Sequence, residues 1–122
     1  MKKLHFLLLS LLLTLFSSCV FQQDGTICVS NYSSSLNITN IALKEKEENG
    51  YITYFNGNLT PGNSYYITVK PGSYSIQIQV SKDLNEFFEI SGYTETGYNI
   101  YKSVSSNETI KAIFDGEGIF FE

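Results

Sequence analysis

Regular alternation between apolar and polar residues is the feature that most restricts how this chain can fold. In the clearest case, the apolar residues Tyr74, Ile76, Ile78 and Val80 alternate with serine and glutamine. Successive side chains of a β-strand point to opposite faces, so this pattern predicts a half-buried antiparallel strand whose apolar side faces a core. After the first 18 residues, no segment shows the period of an amphipathic helix. The chain is therefore predicted to be all-β.

Shorter segments of the same kind recur between Gly, Pro and Asn residues along the rest of the chain. The other candidate strands are Thr26–Ser30, Leu36–Leu43, Tyr51–Phe55, Tyr65–Val69, Glu86–Ser91, Tyr98–Val104, Thr109–Phe114 and Ile119–Phe121. Strands that follow one another every 8 to 12 residues, roughly, are typical of a β-sandwich or a small barrel. We predict a single antiparallel β-sandwich of about seven or eight strands over residues 25–122.

One candidate strand, Leu36–Leu43, changes phase in its middle. Ile38 falls on one face of this strand, whereas Ile41 and Leu43 fall on the other. A β-bulge adds one residue to a strand, so a bulge near Thr39 would return these apolar side chains to one buried face.

Two Pro-Gly pairs, Pro61-Gly62 and Pro71-Gly72, flank the candidate strand Ser64–Lys70. Proline fixes φ and glycine tolerates a positive φ, so each pair suits a type II turn. We therefore expect a positive φ at the glycine of each turn. We also expect the strand between the turns to pair antiparallel with the strand that follows it.

The sequence around these turns has the pattern Leu-x-Pro-Gly-x-Ser from Leu59, followed by Pro-Gly-x-Tyr-x-Ile from Pro71. This pattern resembles small immunoglobulin-like or transthyretin-like β-sandwich modules of bacterial exported proteins. Each residue of the pattern forms a turn or fills a core. The resemblance therefore implies a fold and carries over no catalytic residue.

The first nineteen residues have the features of an export signal. Lys2 and Lys3 precede an apolar run over residues 4–16, and two serines and Cys19 follow it. A charged start, an apolar stretch and small residues at the cut describe a cleaved secretory signal. The apolar run is too short to cross a bilayer, which needs about 20 residues.

The end of this segment, Leu-Phe-Ser-Ser-Cys, resembles the lipobox of bacterial lipoproteins. The resemblance implies that residues 1–18 are removed as a signal peptide, that Cys19 is acylated, and that residues 19–24 form a short lipid tether. The alternative is ordinary cleavage nearby, which would leave Cys19 and Cys28 free to pair in an oxidising compartment. With Cys19 acylated, Cys28 would be a lone thiol, which we expect to be a small buried residue of a strand.

Charge restricts the partners of the mature chain. After residue 18 the chain has six lysines, twelve acidic residues and no arginine, a net charge of −6. Binding to a nucleic-acid backbone needs clustered Lys or Arg, and these lysines are scattered, so nucleic acid is not an expected partner. Attachment to the membrane is expected through acylated Cys19 and not through charge.

Candidate catalytic residues are scarce. His5 is the only histidine and lies in the predicted signal peptide, so the mature chain is left without Ser-His, Cys-His or His-metal combinations. Carboxylates such as Asp115 and Glu117 are expected to be solvated charges in turns, and Ca²⁺ binding or acid–base chemistry is the less favoured alternative. We therefore predict no enzyme activity, no cofactor and no metal site.

Aromatic residues occur as neighbours in four places, which are Tyr54-Phe55, Tyr65-Tyr66, Phe87-Phe88 and Phe120-Phe121. Adjacent residues of a strand face opposite ways, so one ring of each pair is expected outside the core. Tyr66, Phe87 and Phe120 are the candidates for an exposed partner surface that would bind an envelope protein or a saccharide. The alternative is that these rings only strengthen packing between strands.

Together these features predict a lipid-anchored lipoprotein of the bacterial cell envelope, in the outer membrane or at the cell surface. The domain is expected to be a non-catalytic binding or structural module. The alternative is a subunit of a larger envelope assembly, joined through a strand edge or through exposed aromatics.

Overall fold

The computed structural model describes residues 23–82, 92–96 and 100–122 of the chain. These residues form nine β-strands, which are β1 (Gly25–Asn31), β2 (Leu36–Glu45), β3 (Ile52–Leu59), β4 (Ser64–Val69), β5 (Gly72–Lys82), β6 (Gly92–Glu95), β7 (Lys102–Val104), β8 (Thr109–Phe114) and β9 (Ile119–Phe121). Within these ranges no helix is long and apolar enough to cross a membrane. The predicted all-β class is confirmed. The candidate strand at 86–91 lies outside the described residues.

The strands form two sheets that pack face to face. One sheet has the order β4-β1-β8-β9, and the other has the order β3-β2-β5-β6, with β7 also paired to β5. The predicted sandwich is confirmed. Among the described strands, β1 and β8 run parallel and the other pairs are antiparallel.

The core lies between the two sheets and receives side chains from both. The four-stranded sheet contributes Ile27, Val29, Ile67, Val69, Ala112, Phe114 and Ile119, and the five-stranded sheet contributes Ile38, Ile41, Leu43, Leu59, Tyr74, Ile76, Ile78 and Val104. The apolar face predicted for β5 is therefore the buried one. Its other face is also partly covered, because Ser75 is 5% exposed and its hydroxyl lies 3.1 Å from the hydroxyl of Tyr51.

The predicted bulge in β2 is confirmed at Thr39. The pairing of β2 with both of its neighbours shifts register between Ile38 and Asn40. As a result Ile38, Ile41 and Leu43 are all buried in the same core. The bulge therefore corrects the phase change that the sequence shows.

The predicted pairing of β4 with β5 is wrong. β4 pairs with β1 in the four-stranded sheet, whereas β5 pairs with β2 in the other sheet. Gly62 has the expected positive φ of 86°, but Gly72 does not have a positive φ and is the first residue of β5. The Pro-Gly pair at 71–72 therefore carries the chain from one sheet to the other and does not close a hairpin.

Candidate functional site

Two of the rings predicted to form a partner surface lie on the same side of the molecule. Tyr66 is on β4 and is 67% exposed, and Phe120 is on β9 and is 45% exposed. β4 and β9 are the two edges of the four-stranded sheet, so three strand spacings, or about 14 Å, separate them. The other two predicted site residues, Phe87 and Cys19, lie outside the described residues.

The register of the four-stranded sheet places further side chains between these rings. Cys28 of β1 is paired with Tyr66 on one side and with Lys111 of β8 on the other. Ile113 of β8 is paired with Phe120. We call the surface formed by these five residues, together with Tyr32, the outer face.

Tyr32 adds a third exposed ring to the outer face. It follows directly after β1, is 55% exposed, and accepts a hydrogen bond of 2.7 Å from the Lys111 ammonium. The same nitrogen lies 5.0 Å from the centre of the Tyr32 ring and 3.9 Å from a carboxylate oxygen of Glu122. The hydrogen bond from Lys111 to Tyr32, with a smaller contribution from Glu122, raises the pKa of Lys111. A fixed positive charge therefore lies among the rings.

Cys28 is a buried member of the outer face, next to Tyr66. It is a free cysteine and only 6% exposed, so the expectation of a small buried strand residue is met. Its sulfur lies 3.8 Å from the Ser30 hydroxyl. Contact with the Cys28 thiol raises the pKa of the neighbouring Tyr66. The thiol is covered and therefore does not present a nucleophile to solvent.

A second candidate site is a groove of about 440 Å³ at the end of the sandwich where β1 begins. We call it the end groove. Its charged lining residues are Asp24, Glu45, Glu48 and Lys70, and Ile52, Tyr54 and Tyr74 are among its apolar and aromatic ones. No contiguous motif of the sequence marks this site, because its lining comes from three separate stretches of the chain, which are residue 24, residues 43–54 and residues 68–74.

The electrostatics of the end groove are set by its acidic residues. Within the described part of the chain, none of the carboxylates of Asp24, Glu45 and Glu48 forms an ion pair. The buried Tyr74 hydroxyl donates a hydrogen bond of 2.7 Å to the carbonyl of Lys70. Burial raises the pKa of Tyr74, and the charges of Glu45 and Asp24 raise it further. The lining of the groove therefore carries more negative than positive charge.

The residues described by the structure contain no group of three His, Cys, Asp or Glu side chains that could hold a metal ion. No protein-family model matches the sequence, and no curated protein matches it. The fold and these two sites define the protein as an all-β sandwich with an exposed aromatic face and an acidic groove at one end.

Proposed function

We propose that this protein is a lipoprotein of the bacterial cell envelope, anchored through acylated Cys19, whose sandwich domain is a non-catalytic binding module. The observation that supports the binding role best is the outer face, where Tyr32, Tyr66 and Phe120 are exposed around the charged Lys111. Exposed aromatic side chains on one surface are typical of protein interfaces. An envelope protein is the partner that we favour, and a saccharide is the alternative.

The proposed anchor would keep the domain close to the lipid surface. Five residues, 20–24, separate Cys19 from Gly25, where β1 begins. A fully extended chain spans at most about 3.6 Å per residue, so this tether reaches at most about 18 Å. The partner of the outer face would therefore be found at or near the membrane.

An assembly joined through a strand edge is the second candidate function. β3 is an edge strand of the five-stranded sheet, and six of its eight residues are exposed. An exposed edge can accept a strand from another protein. The register of β3 against β2 is interrupted twice, however, and such irregularities weaken an edge as a template for pairing. We therefore rank this function below binding through the outer face.

The anchor is tested by metabolic labelling with a clickable fatty acid. We expect the wild-type protein to carry the label, and we expect Cys19→Ala to lose both the label and its membrane attachment, because the acylated thiol is removed. Cys28→Ala is the matched control, since it removes the other cysteine and should keep the label. Label on the Cys19→Ala variant, or none on the wild type, would contradict the proposal.

The binding role is tested by photo-crosslinking in the intact envelope. A benzoylphenylalanine residue at position 66 or 120 should crosslink to the same envelope protein, because both positions lie on the outer face. The control position is Thr53, which is exposed on the edge strand of the other sheet. Equal crosslinking from position 53 would contradict a specific outer face. If neither outer-face position captures a protein and Tyr66→Ala loses binding to isolated wall saccharide, the saccharide alternative is favoured.

A further inference from the structure

We infer that the end groove is a binding site for an aliphatic ammonium group, which is a protonated primary amine at the end of a short carbon chain. This inference goes beyond the proposed function, because no residue of the outer face lines the end groove. It rests on three properties of the groove: its shape, its exposed apolar side chains and the sign of its charge.

The end groove lies beside the edge strands β3 and β4, at the end of the sandwich where β1 begins. The Phe55 ring of β3 and the Tyr65 ring of β4 close the gap between these edges, with their centres 4.7 Å apart. The lining residues Ile52 and Tyr54 precede Phe55 along β3, toward the end of the sandwich where β1 begins. A volume of about 440 Å³ falls in the range of about 300 to 1,000 Å³ that small-molecule sites occupy.

The groove exposes apolar surface that a carbon chain could cover. Ile52 is 58% exposed and Tyr54 is 39% exposed, although both lie beside the buried Leu43 and Val69. Removing such surface from water is favourable, and the gain grows with each methylene group of a ligand that becomes buried. The lining therefore suits a ligand with an aliphatic part.

The charge of the groove determines which end group the ligand carries. Three carboxylates, those of Asp24, Glu45 and Glu48, line the groove together with one ammonium, that of Lys70. An anionic ligand would be repelled, and a neutral ligand without N–H or O–H donors would remove water from the carboxylates without replacing its hydrogen bonds. A cation is complementary to this arrangement.

An organic cation fits this groove better than a metal ion. Among the described residues, these three carboxylates do not form a group that could hold a metal. A primary ammonium has three N–H donors for carboxylates, and it carries an alkyl chain that the apolar side chains of the groove can contact, whereas a metal ion has none. The exposed ring of Tyr54 can also receive a cation at its face.

The inference is tested by calorimetric titration of the full processed protein in a neutral detergent. Pentylammonium should bind with a stoichiometry of one, and pentanoate should give no binding. Methylammonium should bind at least about tenfold more weakly than pentylammonium, because it lacks the methylene groups that would cover Ile52 and Tyr54. Saturable binding of pentanoate, or no saturable binding of pentylammonium at millimolar concentration, would overturn the inference.

Variants separate the groove from the general negative charge of the protein. Glu45→Gln should weaken pentylammonium binding about fivefold or more, since it removes one of the three carboxylates that line the groove. The matched control is Glu117→Gln, which makes the same change at an exposed residue between β8 and β9 and should stay within about twofold of wild type. Equal weakening by both variants would overturn the inference.

Ile52→Ser provides a second variant at an exposed position, where folding is not at risk. It should weaken pentylammonium binding and leave methylammonium binding unchanged. An equal effect on both ligands would overturn the inference.

A capped Ala-Lys-Ala peptide identifies the source of the ammonium group. Peptide binding at least tenfold tighter than pentylammonium binding assigns the site to a lysine of a partner protein, and any peptide affinity below that level assigns it to a free amine. Tyr66→Ala, which alters only the outer face, should leave all of these affinities unchanged.

Discussion

Replacing Ile76 with alanine is expected to lower the free energy of unfolding by about 2 to 5 kcal/mol, because it removes buried methyl groups and leaves a cavity. Ile76 is fully buried and lies on β5, which pairs with β2 on one side and with β6 and β7 on the other. Its backbone N–H also donates to the Thr96 hydroxyl, at 3.1 Å. The loss would be a large share of the stability of a domain of this size.

The matched control for this prediction is Ile52→Ala. It removes the same atoms from a side chain that is 58% exposed, so it should cost less than about 1 kcal/mol. Urea unfolding followed by circular dichroism measures both variants. If the two substitutions cost the same, the side of β5 that carries Ile76 is not the buried side, and the sandwich described above is wrong.

Asn31→Ala is the second substitution with a large expected effect, of about 2 to 4 kcal/mol. Asn31 is fully buried at the end of β1, and its side-chain amide donates 2.8 Å hydrogen bonds to the carbonyls of Leu36 and Leu59. Its side-chain oxygen accepts bonds from the backbone N–H and the hydroxyl of Ser33. Alanine would leave several of these groups buried without a partner, at a cost of about 1 to 3 kcal/mol each before relaxation.

The control for Asn31 is Asn58→Ala, the same change at an exposed residue of β3. It should change the free energy of unfolding by no more than about 0.5 kcal/mol. Asn31→Asp is informative as well, because it puts a carboxylate oxygen where the amide now donates to two carbonyls, and it should be as damaging as alanine. Thermal unfolding of the three variants ranks them. The hydrogen bonds of Asn31 connect β1 of the four-stranded sheet to Leu36 and Leu59 of the five-stranded sheet. A cost below about 1 kcal/mol for Asn31→Ala would mean that these bonds do not join the two sheets in solution.

Local features of the fold were predictable from the sequence because they depend on neighbouring residues. The period of two in β5 identified its buried face, and the change of phase in β2 located the bulge at Thr39. The same period-two argument identified Tyr66 and Phe120 as exposed rings, and both are exposed. Each of these predictions needs only the alternation of side chains along a single strand.

The choice of partner strand was not predictable in this way. Proline and glycine at 71–72 indicate a turn, but they do not specify whether the next strand joins the same sheet, and β5 joins the other one. The parallel pairing of β1 with β8 joins segments from opposite ends of the domain. The alternation along β5 predicts an outward position for Ser75, yet Tyr51 covers it.

The candidate sites also combine features that the sequence predicts with features that only the tertiary structure shows. The sequence alone determined the all-β class, the buried face of β5, and that the rings of Tyr66 and Phe120 point away from the core. Only the tertiary structure decided that Lys111 bonds to Tyr32, which lies 79 residues away along the chain, and that acids from separate segments line one groove. The physical reason is that alternation follows from backbone geometry between adjacent residues, whereas pairing and burial depend on contacts that form only when distant segments pack together.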